Sequence, residues 1–344
     1  MRKVRILLGV LAAAVTSVGV LQPSAAQPVE EFYKGKQVSL LIGFGPGGAN
    51  DAWARALARH MTKHIPGNPT VVPQNMPGAG TLKLANHLYN VAAKDGSVFG
   101  LISRGIPLEP LLGGQAIQFD ATKMNWIGSP DRDTTVCAAR KDAKVQTMRD
   151  LFSQELTVGA SGSGADTAIY PEFLTEFLGM KFKTIKGYPG SNEIFLAMER
   201  TEVEGICVAY DSLARQRLFT EGKMNILFQA ALEKDANVPA GVPLATELAT
   251  TEVERDALKL FLSRVSLGRP FVAPPGLPSE RADALRRAFD ATMKDPEFVA
   301  ETQKQKLSID PITGKELGDT IIAVYGTPKD VVKRVADTLG RISK

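Results

Sequence analysis

Val38-Ser39-Leu40-Leu41-Ile42 runs straight into Gly43-Phe44-Gly45-Pro46-Gly47-Gly48-Ala49-Asn50-Asp51. Beyond it Trp53, Ala56, Leu57 and Met61 recur at helical spacing. A short apolar run closed by glycine and proline reads as a buried strand and a turn. The spacing that follows reads as an amphipathic helix over 51–64. The same unit then repeats. Residues 70–73 read as a strand, and Pro77-Gly78-Ala79-Gly80 turns into a helix near 82–92. Residues 97–102 form another apolar run. Strand, helix, strand, helix, strand argues for an α/β fold with a largely parallel sheet.

A second block follows the same logic. Residues 134–139 and 156–160 read as strands, and Ser161-Gly162-Ser163-Gly164 opens a helix toward Leu178. Pro171 falls inside that helix and is expected to kink it or delay its start. Residues 183–186 read as a strand, and Tyr188-Pro189-Gly190-Ser191 opens a helix through Met198. Further strands are expected at 205–209 and 225–229. Toward the C-terminus, the run 269–273 and Pro274-Pro275-Gly276 precede an amphipathic helix near 279–294. Pro296, Pro311 and Pro328 punctuate the remainder. The 344 residues suit two domains.

Composition narrows the class. Hydrophobic residues at 44% and charged residues at 23% exclude a disordered or collagenous chain. A formal charge of +4, without a basic cluster interleaved with aromatics, gives no reason to expect nucleic acid. That charge is unevenly placed: Arg2, Lys3 and Arg5 open the chain, and no acid precedes Glu30. The apolar run 6–21 follows, then Ser24-Ala25-Ala26, which is the three-part pattern of an export signal cleaved near Ala26. As a helix the run spans about 24 Å, short of the roughly 30 Å hydrocarbon core. A retained anchor is the competing reading. Cleavage would leave 318 residues with a charge of +1. Cys137 and Cys207 lie 70 residues apart in apolar runs. In an exported chain they either pair or stay as two buried thiols.

Four glycine-rich turns, at 44–51, 77–80, 161–167 and 188–191, each sit between a strand and a helix. Helix N-termini leave N–H groups without internal partners and carry partial positive charge. Glycines let those groups approach a ligand closely. Any one turn is ordinary turn and cap chemistry. Two per domain, converging on an interdomain cleft, suit an anionic ligand. Hydrogen bonds to a charged acceptor add roughly 1.5–3 kcal/mol each, so several reach micromolar affinity, about −8 kcal/mol.

Competing chemistries are weaker. Gly43 to Gly48 fits G-x-G-x-x-G, but the segment Val72-Pro73-Gln74-Asn75 lacks the acid that a dinucleotide site wants at the next strand's end. Gly159-Ala160-Ser161-Gly162-Ser163 misses G-x-S-x-G at its last position. His60 and His64 stand four apart, but His-Met-Thr-Lys-His lacks the glutamate of H-E-x-x-H. Both are read as cations in a last helical turn. No catalytic residue, metal or cofactor is expected.

These turns resemble those of the receptors of tripartite tricarboxylate transporters, the Bug proteins. The family's P-x-P-P-G-G-x-x-D is matched by Phe44-Gly45-Pro46-Gly47-Gly48-Ala49-Asn50-Asp51, and its N-x-P-G-A-G by Asn75-Met76-Pro77-Gly78-Ala79-Gly80. Asp95-Gly96-Ser97-Val98, Tyr188-Pro189-Gly190-Ser191 and Phe271-Val272-Ala273-Pro274-Pro275-Gly276-Leu277-Pro278 resemble further elements in order, and Val203-Glu204 stands where the family usually has Val-Asp. The resemblance implies a type II-like periplasmic binding protein. It would have two α/β domains, 27–130 plus 250–344 and 131–249, with the ligand in the cleft between them. It implies a monomeric, non-catalytic receptor that captures a small organic anion and delivers it to membrane transporter subunits. A sensing receptor and a secreted enzyme are the rival functions. By motif position the ligand-binding residues would be Phe44, Gly48, Ala49, Asn50, Asp51, Gly78 and Ala79 in the first domain. In the second they would be Ser161, Ser163, Thr167, Tyr188, Gly190 and Ser191, with Asp211 as an edge contact or hinge cap. The sequence departs from the family at Ala49-Asn50, where Gly-Thr is common, at Thr81-Leu82-Lys83, and at Pro189, which replaces a lysine. Arg104 and Arg132-Asp133-Thr134 either restore charge near the crossing strands or lie on the surface.

Overall fold

A computed structural model describes residues 27–342 except Gln115, Asp133, Ser163 and Gly164. The expected export signal, its cleavage site and the candidate Ser163 therefore lie outside the described residues. The strand that opens the fold, β1 (Gln37–Ile42), has both faces covered. Leu41 packs into one apolar cluster and Leu40 and Ile42 into another. That explains why its sequence is nearly continuous in apolar residues rather than alternating. β1 pairs in parallel with β2 (Thr70–Asn75) and β3 (Val98–Leu101). The chain then forms β4 (Asn125–Ser129), crosses to a second sheet, and returns to the first as β10 (Phe271–Ala273) and β11 (Ile312–Thr313). The first sheet runs β11-β4-β10-β3-β1-β2, with β10 antiparallel to both of its neighbours.

The second sheet is built from β5 (Thr135–Arg140), β6 (Leu156–Ala160), β7 (Phe182–Lys186), β8 (Gly205–Ala209) and β9 (Met224–Ala230), in the order β7-β6-β8-β5-β9. β6 runs parallel to β7 and β8, and β5 antiparallel to β8 and β9. Both sheets are thus mixed, each with a parallel α/β half. In the second, Cys137 stands directly opposite Cys207 across β5 and β8, and the two form a disulfide. Of the two readings of these cysteines, pairing holds.

The two lobes share one apolar core beneath the cleft. It runs from Leu84 and Leu88 under the first sheet, through Phe261, Leu262 and Val265, to Leu156 and Phe228 in the second. Helix Asp166–Leu178 presents Phe173 flat against Phe261, with ring centroids 3.7 Å apart. Pro171 is the sixth residue of that helix, which starts at Asp166 rather than at the glycine turn. The final helix, Lys329–Ile342, packs on both Glu252–Leu262 and Asp166–Leu178. Two of the chain segments that cross between the lobes touch at Gly268. Its backbone has φ +56°, and a Cβ there would overlap the carbonyl oxygen of Asp131 on the other crossing segment. Only glycine meets both conditions. Among the described residues, no helix is long and apolar enough to cross a membrane.

Candidate functional site in the cleft between the lobes

The first turn is held by its own acid. Asp51, 4% exposed, accepts from the Gly47 N–H and from Arg55 Nε, both at 2.9 Å, and from Asn75 Nδ2 at 2.9 Å. Asn75 also donates to the Phe44 carbonyl at 2.9 Å and accepts from Arg55. Burial alone would push the Asp51 carboxyl up. The bonds from Arg55, Gly47 and Asn75 outweigh it and hold the group below the usual carboxylate range. Asp51 therefore shapes the loop that precedes helix Ala49–Met61, whose N-cap is the extended Gly48. Asn50 turns its Oδ1 to accept from Arg269 Nε at 3.0 Å.

The second turn is strained. Ala79 (φ +46°) and Thr81 (φ +79°) both adopt left-handed backbone, which a β-branched residue strongly disfavours. Thr81 is 2% exposed, and its Oγ1 accepts the Ser103 N–H at 2.8 Å. A Cβ on Gly43 would stand 2.7 Å from Thr81 Cβ, so this glycine lets the two turns pack together. Gly78 and Ala79 are exposed beside them.

In the second lobe the Ser161 N–H donates to Thr167 Oγ1 at 3.1 Å, and the two hydroxyls are 3.3 Å apart. The Tyr188 N–H donates to Ala160 O, tying the third and fourth turns together. Gly190 caps helix Ser191–Glu199. Asp211 opens the short helix Tyr210–Ala214 and is buried.

Between the lobes lies a cavity of about 150 Å³. The first lobe lines it with Gly47, Gly48, Ala49 and Ala52, the second with Ser191, Asn192, Ser212, Arg215 and Gln216. Gly48, Ala49 and Ser191 are thus brought onto its wall. Asn50 and Asp211 meet elsewhere, on Arg269. The other described candidates are not part of the lining.

Two arginines organise the interface, and one of them, Arg269, sequence reasoning missed. Arg269, 6% exposed, binds Asn50 of the first lobe, Asp131 of one crossing segment and Asp211 of the second lobe, the last at 3.0 Å. Its backbone N–H donates to Ser129 Oγ at 2.8 Å. Burial pushes the Asp211 carboxyl up. Arg104, also 6% exposed, leaves the first lobe to bind Asp166 Oδ2 at 2.8 Å and Thr135 Oγ1 at 2.6 Å in the second. Of the two readings of Arg104, charge at the crossing holds. Arg132 instead is largely exposed beside Asp310.

His60 and His64 meet acids as well as a helix end. His60 Nε2 lies 2.7 Å from Glu301 and His64 Nε2 2.8 Å from Asp295. His60, Asp295 and Glu297 converge closely enough to suggest a metal centre. Lys63 Nζ already sits 2.7 Å from Asp295 and 2.6 Å from Glu297, so the charge is met by an ammonium group. Burial would raise the Asp295 carboxyl, but Lys63 and His64 hold it well below its usual range. Its stabilisation is therefore present above the unfolded carboxylate pKa and lost as pH falls through the lowered one. Asp295→Asn is expected to flatten the acid limb of a stability–pH curve below about pH 4. A limb as steep as the wild type's would remove Asp295 from this role.

Comparison with known proteins agrees with this architecture. Residues 53–318 match the family described as tripartite tricarboxylate transporter family receptor. The UPF0065 protein in the gbd 5′ region of Cupriavidus necator is 26% identical over 295 residues, covering 84% of each chain. MatC from Rhodopseudomonas palustris, solved with bound malate, superposes with TM-score 0.67 at 20% identity, covering 86% of this chain and 99% of its own. A second Rhodopseudomonas palustris protein, solved with adipate, gives TM-score 0.66 at 18% identity, covering 89% and 97%. The fold is that of a two-domain periplasmic binding protein, and the chain belongs to the tripartite tricarboxylate transporter receptor family of solute-binding proteins.

Proposed function

We propose that this chain is a periplasmic receptor that captures a small carboxylate between its lobes, hands it to a membrane transporter and releases it unchanged. The observation that carries the reading is the interlobe cavity. Helix starts from both lobes and the Arg215 side chain line it, and no acid does. At about 150 Å³ it is smaller than the roughly 300–1,000 Å³ of drug-sized ligand sites, which suits a ligand of few atoms. Backbone N–H groups at Gly48–Ala49 and Ser191–Asn192 would meet the anion where the helix dipoles favour it. The malate and adipate carried by the two similar structures support a carboxylate as the ligand class. Export would follow from the 1–26 segment, cleaved near Ala26, and the receptor would act as a monomer.

A thermal-shift screen of di- and tricarboxylates, aromatic acids and amino acids tests this reading. At 100 times Kd a bound ligand adds about 2.7 kcal/mol of stability. A broad panel without any shift would remove the organic-anion reading. With a ligand in hand, Ser191→Ala and Asn192→Ala, both on the cavity wall, are each expected to weaken binding while the chain stays folded. Unchanged affinity in both would place the site elsewhere. Mass analysis of recovered ligand separates a receptor from an enzyme, because an enzyme leaves product.

A further inference from the structure

The charged side chains around the cleft are not equivalent. Arg55 is committed to Asp51 and Asn75, Arg104 to Asp166 and Thr135, and Arg269 to Asp131, Asp211 and Asn50. Arg215 differs. Among the described residues no carboxylate lies within ion-pair distance of it. Among the described residues its side chain makes one hydrogen bond, a long one of 3.4 Å from Nη1 to the carbonyl of Gln305 at the end of helix Pro296–Lys304. That bond crosses from the second lobe to the first. The guanidinium is half-buried and lines the cavity that the two helix starts also line. Nearby Asp211 feels its charge, but is already bonded to Arg269.

A guanidinium has five donors in a fixed fork that matches a carboxylate. Here one donor is used, weakly. The cavity therefore offers two kinds of positive feature: backbone N–H groups at helix starts, and one side-chain cation. A monoanion satisfies one of them. A dianion satisfies both. Resting on the carboxylate reading above, we propose that Arg215 is the residue that selects dianionic over monoanionic ligands, by taking the second carboxylate across the mouth of the cleft. Its bond to Gln305 lets the same side chain join the lobes over the bound ligand.

Titration calorimetry of succinate against butyrate, and of adipate against hexanoate, reads this directly as a ratio of affinities. The wild-type chain is expected to favour the diacid. In Arg215→Ala the ratio is expected to fall roughly ten- to hundredfold, the worth of a charge-assisted bond. Arg215→Lys is expected to keep part of it, because it restores charge without the fork. Arg215→Gln, which keeps the side chain's bulk, replaces the alanine variant if that one melts early. A ratio unchanged in the alanine or glutamine variant, or diacid and monoacid weakened equally, overturns the role of Arg215 and leaves the receptor reading standing. If neither diacid binds the wild-type chain while other acids do, the dianion assignment falls alone. If no acid binds at all, the receptor reading falls and this one with it.

Discussion

Arg269→Ala is expected to cost about 3–5 kcal/mol of folding stability, the range for removing one partner of a buried ion pair. The side chain is 6% exposed, and the Asp131 and Asp211 carboxylates that it neutralises are as deeply buried. Truncation leaves two buried acids without the cation bonded to them, with the Arg104 and Arg215 charges acting on Asp211 only from farther away. The loss therefore comes less from the missing bonds than from the two charges left behind. It also has a direction in pH. With Arg269 gone, burial and mutual repulsion raise both carboxyls above their unfolded values. A raised acid gives stability that is present below the unfolded pKa and lost as pH rises through the folded one. The deficit of the variant is thus expected to be largest near pH 8 and to shrink toward pH 5. Urea denaturation of both chains at the two values, with unchanged m, measures it. A variant as stable as the wild type at pH 8, or a deficit that grows on acidification, would sink the argument. Adding Asp131→Asn and Asp211→Asn to Arg269→Met is expected to recover part of the loss, because no uncompensated charge then remains.

Because Arg269 touches Asn50, Asp131 and Asp211 at once, it belongs to both lobes and to the chain between them. Gly268 beside it is the point where two of the crossing segments are in van der Waals contact. Sequence reasoning saw neither as a junction. The strand–turn–helix units were legible because their signals are local. An apolar run, a glycine turn and a helical period are enough to find β1, the turn after it and Ala49–Met61. β4 was not legible. Asn125-Trp126-Ile127-Gly128-Ser129 has two apolar residues, and it is a strand because β10 and β11 pair with it from distant parts of the chain. Arg269 escaped for a related reason. Arginines are mostly exposed, and only the tertiary arrangement collects three partners around this one. Asp51 shows the opposite limit. Its place in a motif is visible in the sequence, but that both its oxygens are turned into the loop, onto Gly47, Arg55 and Asn75, depends on the side-chain geometry.

Reducing the disulfide is expected to cost roughly 4 kcal/mol, the loop-closure estimate for a cross-link spanning about 70 residues. Cys137 and Cys207 are buried at 1% and 0% exposure in the middle of the second sheet, so a reduced chain keeps two small apolar side chains at the same site. Its folded state therefore loses little packing, and the cost falls mainly on the released entropy of the unfolded chain. A double Cys→Ala variant is expected to match the reduced protein. A double Cys→Ser variant is expected to be worse, since it buries two hydroxyls without partners. The bond also bears on the cleft. β5 and β8 lie in register with Thr135 opposite Ala209, and the Thr135 hydroxyl accepts from Arg104. Two residues past Ala209, Asp211 accepts from Arg269. The cross-link thus ties together the two strands that hold the second-lobe ends of both interlobe arginine contacts. Loosening it is expected to amplify the Arg269→Ala defect beyond the sum of the two separate losses, because neighbours that share a network do not act additively. Urea titrations of wild type and Arg269→Ala, each with and without reductant, close that cycle. Equal stability of the oxidised and reduced wild type would refute the entropic estimate, and simple additivity would separate the disulfide from the interlobe cluster.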